Sequence, residues 1–436
     1  MVAMNDTECE VLVVGAGPAG SSAAHRAARA GRDVLLVDMQ DFPRDKTCGD
    51  GLTPRAVHAL ERLGASDLVS TSAGRPEIRG LKLHGFGGSV TAPWPGHTEF
   101  PARGTAVART DIDNALVNMA VASGARLRTG TKAVDVETDL AGGARRVRAV
   151  HFADGSTVRC RYLVLAEGVR SGIARTLGTR WLRGLVHGVA ARSYCPTPFG
   201  DEPWIHSHLE LRDSEGTAQP GYGWIFPLGT DGEHGSAVNL GCGALSTSRR
   251  PAKVNVRRLL ATYAEQCREE WSLGEPTQVA SALLPMGGAV TRVAGVNWAA
   301  VGDTAALVNP LNGEGIDYAL ESAADVVDLL PDADRSPDGL RYMWPAHLSD
   351  RYGDAFSLAR RAATLLTMPG LLAALGPLGM RGRLSDQLMG SAARLMGNLV
   401  TPEDRDLTAR AWLTAGRLSS AHDRFWHTES RPLFGR

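Results

Sequence analysis

Lysine is scarce. Lys46, Lys82, Lys132 and Lys253 are the only lysines in 436 residues, and every other basic residue is arginine. Basic and acidic side chains balance at 47 each. That balance excludes a general nucleic-acid binder and gives no whole-chain pull toward anionic membranes. The six cysteines (Cys9, Cys48, Cys160, Cys195, Cys242, Cys267) form no C-x-x-C pair and have no regular spacing. They read as free thiols of a reducing compartment. The opening stretch MVAMNDTECEVLVVG lacks a basic n-region ahead of an apolar h-region, so no signal peptide is expected. There is no internal repeat and no low-complexity linker. One uncharged run, Ala362 to Met380, is long enough to span a bilayer. Pro369, Gly370, Gly376, Pro377 and Gly379 break it, so it reads as a buried or interfacial helix pair.

What is present points to an α/β framework. Glu10 to Val14 is a buried strand, Ser21 to Ala30 an alanine-rich helix and Asp33 to Asp38 a second strand. A helix is expected from Thr110 to Ser123, and strands near 126–128, 134–137, 147–152 and 161–166. From Trp204 to Leu245 the pattern is antiparallel, with glycine-rich turns. Val296 to Val301 resumes the α/β pattern, and the chain from Pro345 on reads as helical. The expected organisation is α/β, α+β overall. A discontinuous dinucleotide domain takes 1–85, 100–178 and 283–345. An antiparallel β substrate domain takes 86–99 and 179–282. A helical C-terminal region takes 346–436.

Gly15-Ala16-Gly17-Pro18-Ala19-Gly20 spells G-x-G-x-x-G between the first strand and helix, and Asp38 follows about twenty residues on. Strand, glycine turn, helix and acid together make the dinucleotide fingerprint. Gly15, Gly17 and Gly20 permit the tight turn, close approach to a pyrophosphate and helix–strand packing. The helix N-terminus offers free N–H groups to phosphate. Asp38 would accept from a ribose diol. A second cluster is VNWAAVGDTAALVNPLNGEGIDYALESA, Val296 to Ala323. Asp303 there reads as a second diol acceptor or as a helix cap. Gly313 and Gly315 would bring backbone amides to a flavin edge, and a helix starting at Ile316 would stabilise negative charge there. In GYGWIFPLG, Tyr222, Trp224 and Phe226 alternate and share one face of a strand. His206-Ser207-His208 puts two imidazoles on one face. No third ligand is evident, so no metal site is expected.

A glycine fingerprint paired with a distant Gly-Asp motif resembles the aromatic-hydroxylase class of FAD enzymes. Two stretches narrow the resemblance to the geranylgeranyl reductase family. PRDKTCGDGLTPRA, Pro43 to Ala56, is similar to that family's P-x-x-x-x-C-G-x-G segment. Tyr222, Trp224, Phe226 and Pro227 match its Y-x-W-x-F-P motif. GALSTSRRPA, SALLPMGGAV, NPLNGEGIDYAL and MGNLVTPEDRDLTARAW extend the likeness along the chain, toward the actinobacterial menaquinone-reducing branch. The resemblance implies a Rossmann-like FAD domain, FAD as cofactor and hydrogenation of a C=C bond in a polyprenyl lipid such as menaquinone. It implies flavin-side positions for Cys48, Gly49 and Gly51. It also places an arginine near the FAD at Arg109, a residue that alone reads equally as a surface charge. The class carries Asp-Gly where this chain has Glu167-Gly168. Glu167 keeps the charge and adds a methylene.

An unactivated trisubstituted alkene is a poor hydride acceptor. Protonation toward a tertiary carbocation would need a dry pocket, an acid and an electron-rich wall. Tyr222, Trp224 and Phe226 would supply the wall. Cys48, Tyr222 or a bound water would supply the proton. No separate nicotinamide fold is visible, so electrons would arrive from transiently bound NAD(P)H or a redox partner. A bilayer substrate implies a cytoplasmic protein docked peripherally on the cell membrane through Ala362 to Met380. Two other readings stand beside this one. One is a flavin monooxygenase or halogenase of a natural-product pathway; a halogenase should show W-x-W-x-I-P, where this chain has Tyr-Gly-Trp-Ile-Phe-Pro. The other is a non-catalytic prenyl-binding protein on the same fold.

Overall fold

The computed structural model describes residues 7–71, 74–141, 144–182, 184–231, 235–381, 385–404, 406–425 and 433–435. Part of the N-terminal stretch read for a signal peptide (1–6) and part of the expected helical C-terminus (426–432) lie outside the described residues. Apolar runs build the first sheet. Glu8–Val14, Val34–Val37 and Thr157–Leu165 carry consecutive valines and leucines, the pattern of strands covered on both faces. They pair in parallel, with Arg126–Arg128 beside Val34–Val37. Trp298–Ala300 returns from far along the chain to pair in parallel with Leu163, Val164 and Leu165. The hairpin of Ala133–Ala141 and Ala144–Phe152 extends the sheet antiparallel. Helix Pro18–Arg29 packs against both Arg109–Ala122 and Ile316–Asp328.

The second sheet runs in the order Thr277–Pro285, His187–Pro196, Gly235–Ser246, Gly221–Asp231, Trp204–His208, Gly80–Gly85, Gly88–Pro93. Two details differ from expectation. Gly80–Gly85 belongs here and not with the first sheet, although the expected boundary fell at 85. Leu81 and Leu83 alternate into an apolar cluster with Val90, Ala92 and Ile205, and that burial holds the strand to this sheet. It also runs parallel to Trp204–His208, the one parallel pairing described in a sheet that is otherwise antiparallel as expected. Helix Val256–Cys267 covers one face, packing Leu259, Leu260 and Tyr263 on Ile225, Val238 and Leu240. Asn255 caps it by accepting from the Arg258 N–H at 3.1 Å. The opposite face is left for the site.

The C-terminal helices are Leu340–Leu366, Pro369–Met380, Ser385–Met396 and Leu407–Phe425. The uncharged run breaks at Thr367–Met368. Proline disfavours helical backbone in the residue before it, so the chain restarts at Pro369. No helix among the described residues is long and apolar enough to cross a membrane.

Candidate active site

The two sheets and the intervening loops enclose a cavity of about 1360 Å³. The glycine turn forms one wall. Gly15 has φ +100°, and a Cβ there would lie 2.2 Å from the Ala166 carbonyl oxygen. Pro18 and Ala19 open the helix and line the cavity. Gly20 sits at the packing seam: its Cβ would lie 1.7 Å from the Gly15 carbonyl oxygen. It therefore seats helix on strand and is not part of the lining. Gly17 is open. The Arg44 and Arg109 guanidiniums face it, 3.7 and 3.9 Å from where a Cβ would stand.

Charges alternate beneath this turn. Asp38 accepts from the Ala16 N–H at 2.8 Å, the Gln40 N–H at 2.9 Å and Arg44 at 3.3 Å. The acid thus pins the turn it was expected to follow. Arg109 donates twice to Asp113, both at 2.7 Å, and Arg44 reaches the same carboxylate at 3.1 Å. Arg109 is 3% exposed, so it is a buried partner and not a surface charge. Arg44 has no sequence signal beyond its place in the Pro43 to Ala56 segment.

Asp303, Gly313, Gly315 and Ile316 line the same cavity. Burial works to raise the Asp303 carboxyl, but Lys46 at 2.8 Å outweighs it and holds the group below its ordinary value. Gly313 has φ +75°. At Gly315 a Cβ would meet Val308 at 3.0 Å, and helix Ile316–Asp328 begins directly after.

The aromatic strand meets the Cys48 segment through one residue that sequence reading missed. Asn239 pairs across the sheet with Phe226. Its Oδ1 accepts from the Trp224 indole N–H at 3.0 Å. Its Nδ2 donates to the Cys48 carbonyl at 2.9 Å and to Asp50 Oδ2 at 2.7 Å. Asp50 is fully buried, which pushes its carboxyl up to about 6 against the pull of Asn239, Tyr194 and Arg192. The Cys48 thiol is likewise raised by burial, and its Sγ accepts the Asp50 N–H at 3.4 Å. Tyr222 donates its hydroxyl proton to the Asn312 carbonyl.

Gly49 and Gly51 have a second neighbour in this geometry. Both border the cavity, yet a Cβ on either would lie 2.8 to 2.9 Å from the Phe226 ring. Their bare positions admit that ring, and their backbone stays at the cavity wall. The glycines around the aromatics are similar. A Cβ on Gly221 would strike the Gly243 carbonyl at 1.9 Å, and one on Gly223 the Tyr263 ring at 2.4 Å. His206 and His208 do share a face, and His84 joins them: His84 Nε2 and His206 Nδ1 are 3.0 Å apart. Burial lowers His206 to about 3 and His208 to about 4. No group of three or more metal-ligating side chains occurs among the described residues.

Residues 8–333 match the family described as FAD binding domain. A menaquinone reductase of Mycobacterium tuberculosis is 53% identical over 420 residues, 96% of this chain and 98% of that one. The chain belongs to the geranylgeranyl reductase family of FAD enzymes. A more distant relative in that family is a digeranylgeranylglycerophospholipid reductase of Methanopyrus kandleri. It is 30% identical over 82% of this chain and 91% of its own. The flavin-dependent brominase Bmp2 shares the fold at a TM-score of 0.69, with 18% identity over 97% of this chain and 100% of that one.

FAD is the cofactor of this family, and the residues present fit it. An open Gly17, a helix N-terminus and two guanidiniums suit a pyrophosphate. The departure at Glu167 has a local cause. Its carboxylate accepts from the N–H groups of Gly172 at 2.9 Å, Ile173 at 3.1 Å and Ala174 at 3.0 Å. The extra methylene lets it cap helix Gly172–Thr176, so the carboxylate is engaged by three backbone N–H groups at the cavity's edge. Glu167→Ala is expected to lower unfolding stability by about 1–2 kcal/mol and leave FAD content unchanged. Thermal melts and flavin absorbance check this; flavin loss at unchanged stability would assign the carboxylate to the cofactor.

Proposed function

We propose that this chain hydrogenates a C=C double bond in the isoprenoid side chain of a prenyl lipid, with menaquinone as substrate. The cavity carries the reading, because it joins two chemistries. Gly17, Asp38, Arg44 and Arg109 line a polar part, and Leu245, Leu284, Met286, Val308 and Leu311 an apolar one. Its volume of about 1360 Å³ exceeds the roughly 300–1,000 Å³ typical of one small-molecule pocket. A dinucleotide and part of a polyprenyl chain account for both parts. The full-length likeness to a menaquinone reductase supports the same substrate.

FAD, when bound and reduced, supplies two electrons and one hydrogen. The chain's own residues do the rest. The helix start at Pro18, with Arg44 and Arg109, would hold the pyrophosphate. Asp38 and Asp303 would accept from the diols, and the backbone of Gly313, Gly315 and Ile316, with Cys48, would hold the flavin end. Tyr222, Trp224 and Phe226 exclude water and present ring faces to the positive charge that builds on a protonated alkene. Reducing equivalents come from NAD(P)H or a redox partner. Lys132, Arg170 and Arg180 line the polar part, form no salt bridge among the described residues, and suit an anionic donor. The chain docks peripherally on the cytoplasmic face of the cell membrane. Leu371 and Leu378 on Pro369–Met380 and Leu388 on the next helix are 36, 71 and 51% exposed, an apolar patch for the lipid interface.

Mass spectrometry of the lipid product tests the reading, with a gain of two hydrogens expected. A gain of oxygen or halogen would make the chain a monooxygenase or halogenase. Purified protein without flavin would make it a prenyl-binding protein. The aromatic wall has its own test. Trp224→Phe and Trp224→Leu both lack the indole N–H, so they differ in the ring face alone. The leucine variant is expected to turn over about tenfold more slowly than the phenylalanine variant, with FAD content equal. Equal rates would remove the wall from the mechanism.

A further inference from the structure

The reduction needs a proton, and the groups around the cavity narrow its source. Cys48 and Tyr222 are poor donors: burial raises both, and the Tyr222 proton is already given to Asn312. Among the cavity's carboxyls, Asp38 is held by two amides and Arg44, and Glu167 by three amides. Asp45 pairs with Arg192, and Asp303 is kept ionised by Lys46. Asp50 is 0% exposed and accepts from Asn239, and Asp317 is 1% exposed. Glu314 remains. It borders the cavity on the loop between Asn309 and Ile316, and it is only partly buried.

That loop is held rigidly. The Asn309 N–H donates to the Glu314 carbonyl at 2.8 Å, and the Glu314 N–H to Asn312 Oδ1 at 2.9 Å. Asn398, with φ +57°, arrives from the C-terminal segment and ties the loop together. Its Oδ1 accepts from Asn309 at 2.7 Å and Asn312 at 3.0 Å. Its Nδ2 donates to Asp317 at 2.5 Å and reaches Glu314 Oε2 at 3.4 Å. The Gly313 backbone beside Glu314 faces Tyr222 and Met286, 3.8 and 4.0 Å from where a Cβ would stand. The Glu314 carboxyl itself borders the cavity, reaches Asn398 and lies close enough to Tyr222 of the aromatic strand to act on its hydroxyl.

We propose that Glu314 donates the proton to the isoprenoid double bond. The inference rests on the prenyl-reductase reading. The π bond breaks, one alkene carbon takes a proton from Glu314, and the other takes hydrogen with two electrons from the reduced cofactor. Glu314 is left as a carboxylate and regains its proton from water. Its surroundings favour the acid form. Burial raises it most, and Asp317 one turn on raises it further; Thr53, Tyr222 and Asn398 are the other groups facing it, and Arg55 compensates Asp317 rather than Glu314. A carboxyl raised in this way is protonated below its folded-state value and is lost as an acid only when the pH passes above it.

The test uses FAD-loaded enzyme reduced by dithionite and a short-tailed menaquinone. Glu314→Gln is expected to slow product formation at least about 100-fold with flavin content unchanged, and Glu314→Asp to recover part of the rate. The wild-type rate should fall as pH rises through the Glu314 value, and E314Q should lose that limb. Infrared spectra of the oxidised holoenzyme, without substrate, should show a protonated carboxyl band near neutral pH that E314Q removes and Asp317→Asn does not. E314Q rates close to wild type, or a Glu314 that is ionised at neutral pH, would overturn the proposal. Wild-type enzyme that adds no hydrogen to the tail would overturn the parent reading instead, and the infrared result stands apart from it.

Discussion

Replacing Gly20 with alanine should leave a protein without flavin and cost more than about 3 kcal/mol of folding stability. Helix propensity argues the other way, since alanine inside a helix gains about 1 kcal/mol over glycine. Sterics decide. The added Cβ would stand 1.7 Å from the Gly15 carbonyl oxygen and 3.2 Å from the Ala166 Cβ. The first neighbour is backbone and cannot rotate away. The helix must lift from the strand, and its N-terminus then leaves the glycine turn that receives the pyrophosphate. Gly96→Ala is the control. Nothing lies within 4 Å of its Cβ position, so a change within about 0.5 kcal/mol is expected. Urea unfolding and the flavin-to-protein ratio read both variants. A Gly20→Ala protein with full flavin and an unchanged midpoint would refute the seating of this helix.

Asn239→Asp should be nearly as damaging, although it changes no volume. The new carboxylate cannot donate, so the Cys48 carbonyl and Asp50 lose their partner. It also places a second acid 2.7 Å from Asp50, in a place with no exposure. A lost partner for a buried group costs about 1–3 kcal/mol and more for a charged one, so a total above about 3 kcal/mol is expected. The loss should depend on pH. Asp50 already sits at about 6, above its ordinary 3.8. A carboxyl raised by folding is favourable while protonated, and that stability is lost as pH rises through the folded value. Two carboxyls sharing one proton push that value higher still. The deficit against wild type should therefore grow between pH 5 and pH 8, read by thermal melts. A pH-independent deficit would mean that Asp50 and the introduced carboxyl do not share the buried site.

Much of this site is legible in the sequence. Spacing alone placed Gly15, Gly17 and Asp38 on one wall, because strand, turn and helix have fixed dimensions. Alternation alone put Tyr222, Trp224 and Phe226 on one face. Asn239 was not legible, because its partner is set by the register of two strands, and that register is a tertiary fact. Gly49 and Gly51 were legible as bare positions, but the Phe226 ring beside them was not. A missing Cβ looks the same in sequence whether a flavin or the Phe226 ring takes the space. The strand Gly80–Gly85 was not legible, because its sheet is chosen by its partners Trp204–His208 and Gly88–Pro93 and not by its own residues. Glu167 shows the reverse case, in which an added methylene reads as a change beside the cofactor while the cap it makes is visible only in the structure.

Phe226 seated over Gly49 and Gly51 has a consequence for ancestry and for engineering. The ring, the two bare positions and Asn239 behave as lock and key cut from three separate stretches of one gene. Recombination that moves the 221–231 strand alone would insert a key into a foreign lock. Productive crossovers must carry residues 43–56 and the strand bearing Asn239 with it. Lineages that vary in lipid preference are then free to diversify the apolar walls at Leu284, Met286 and Val308, while this trio is inherited as a block.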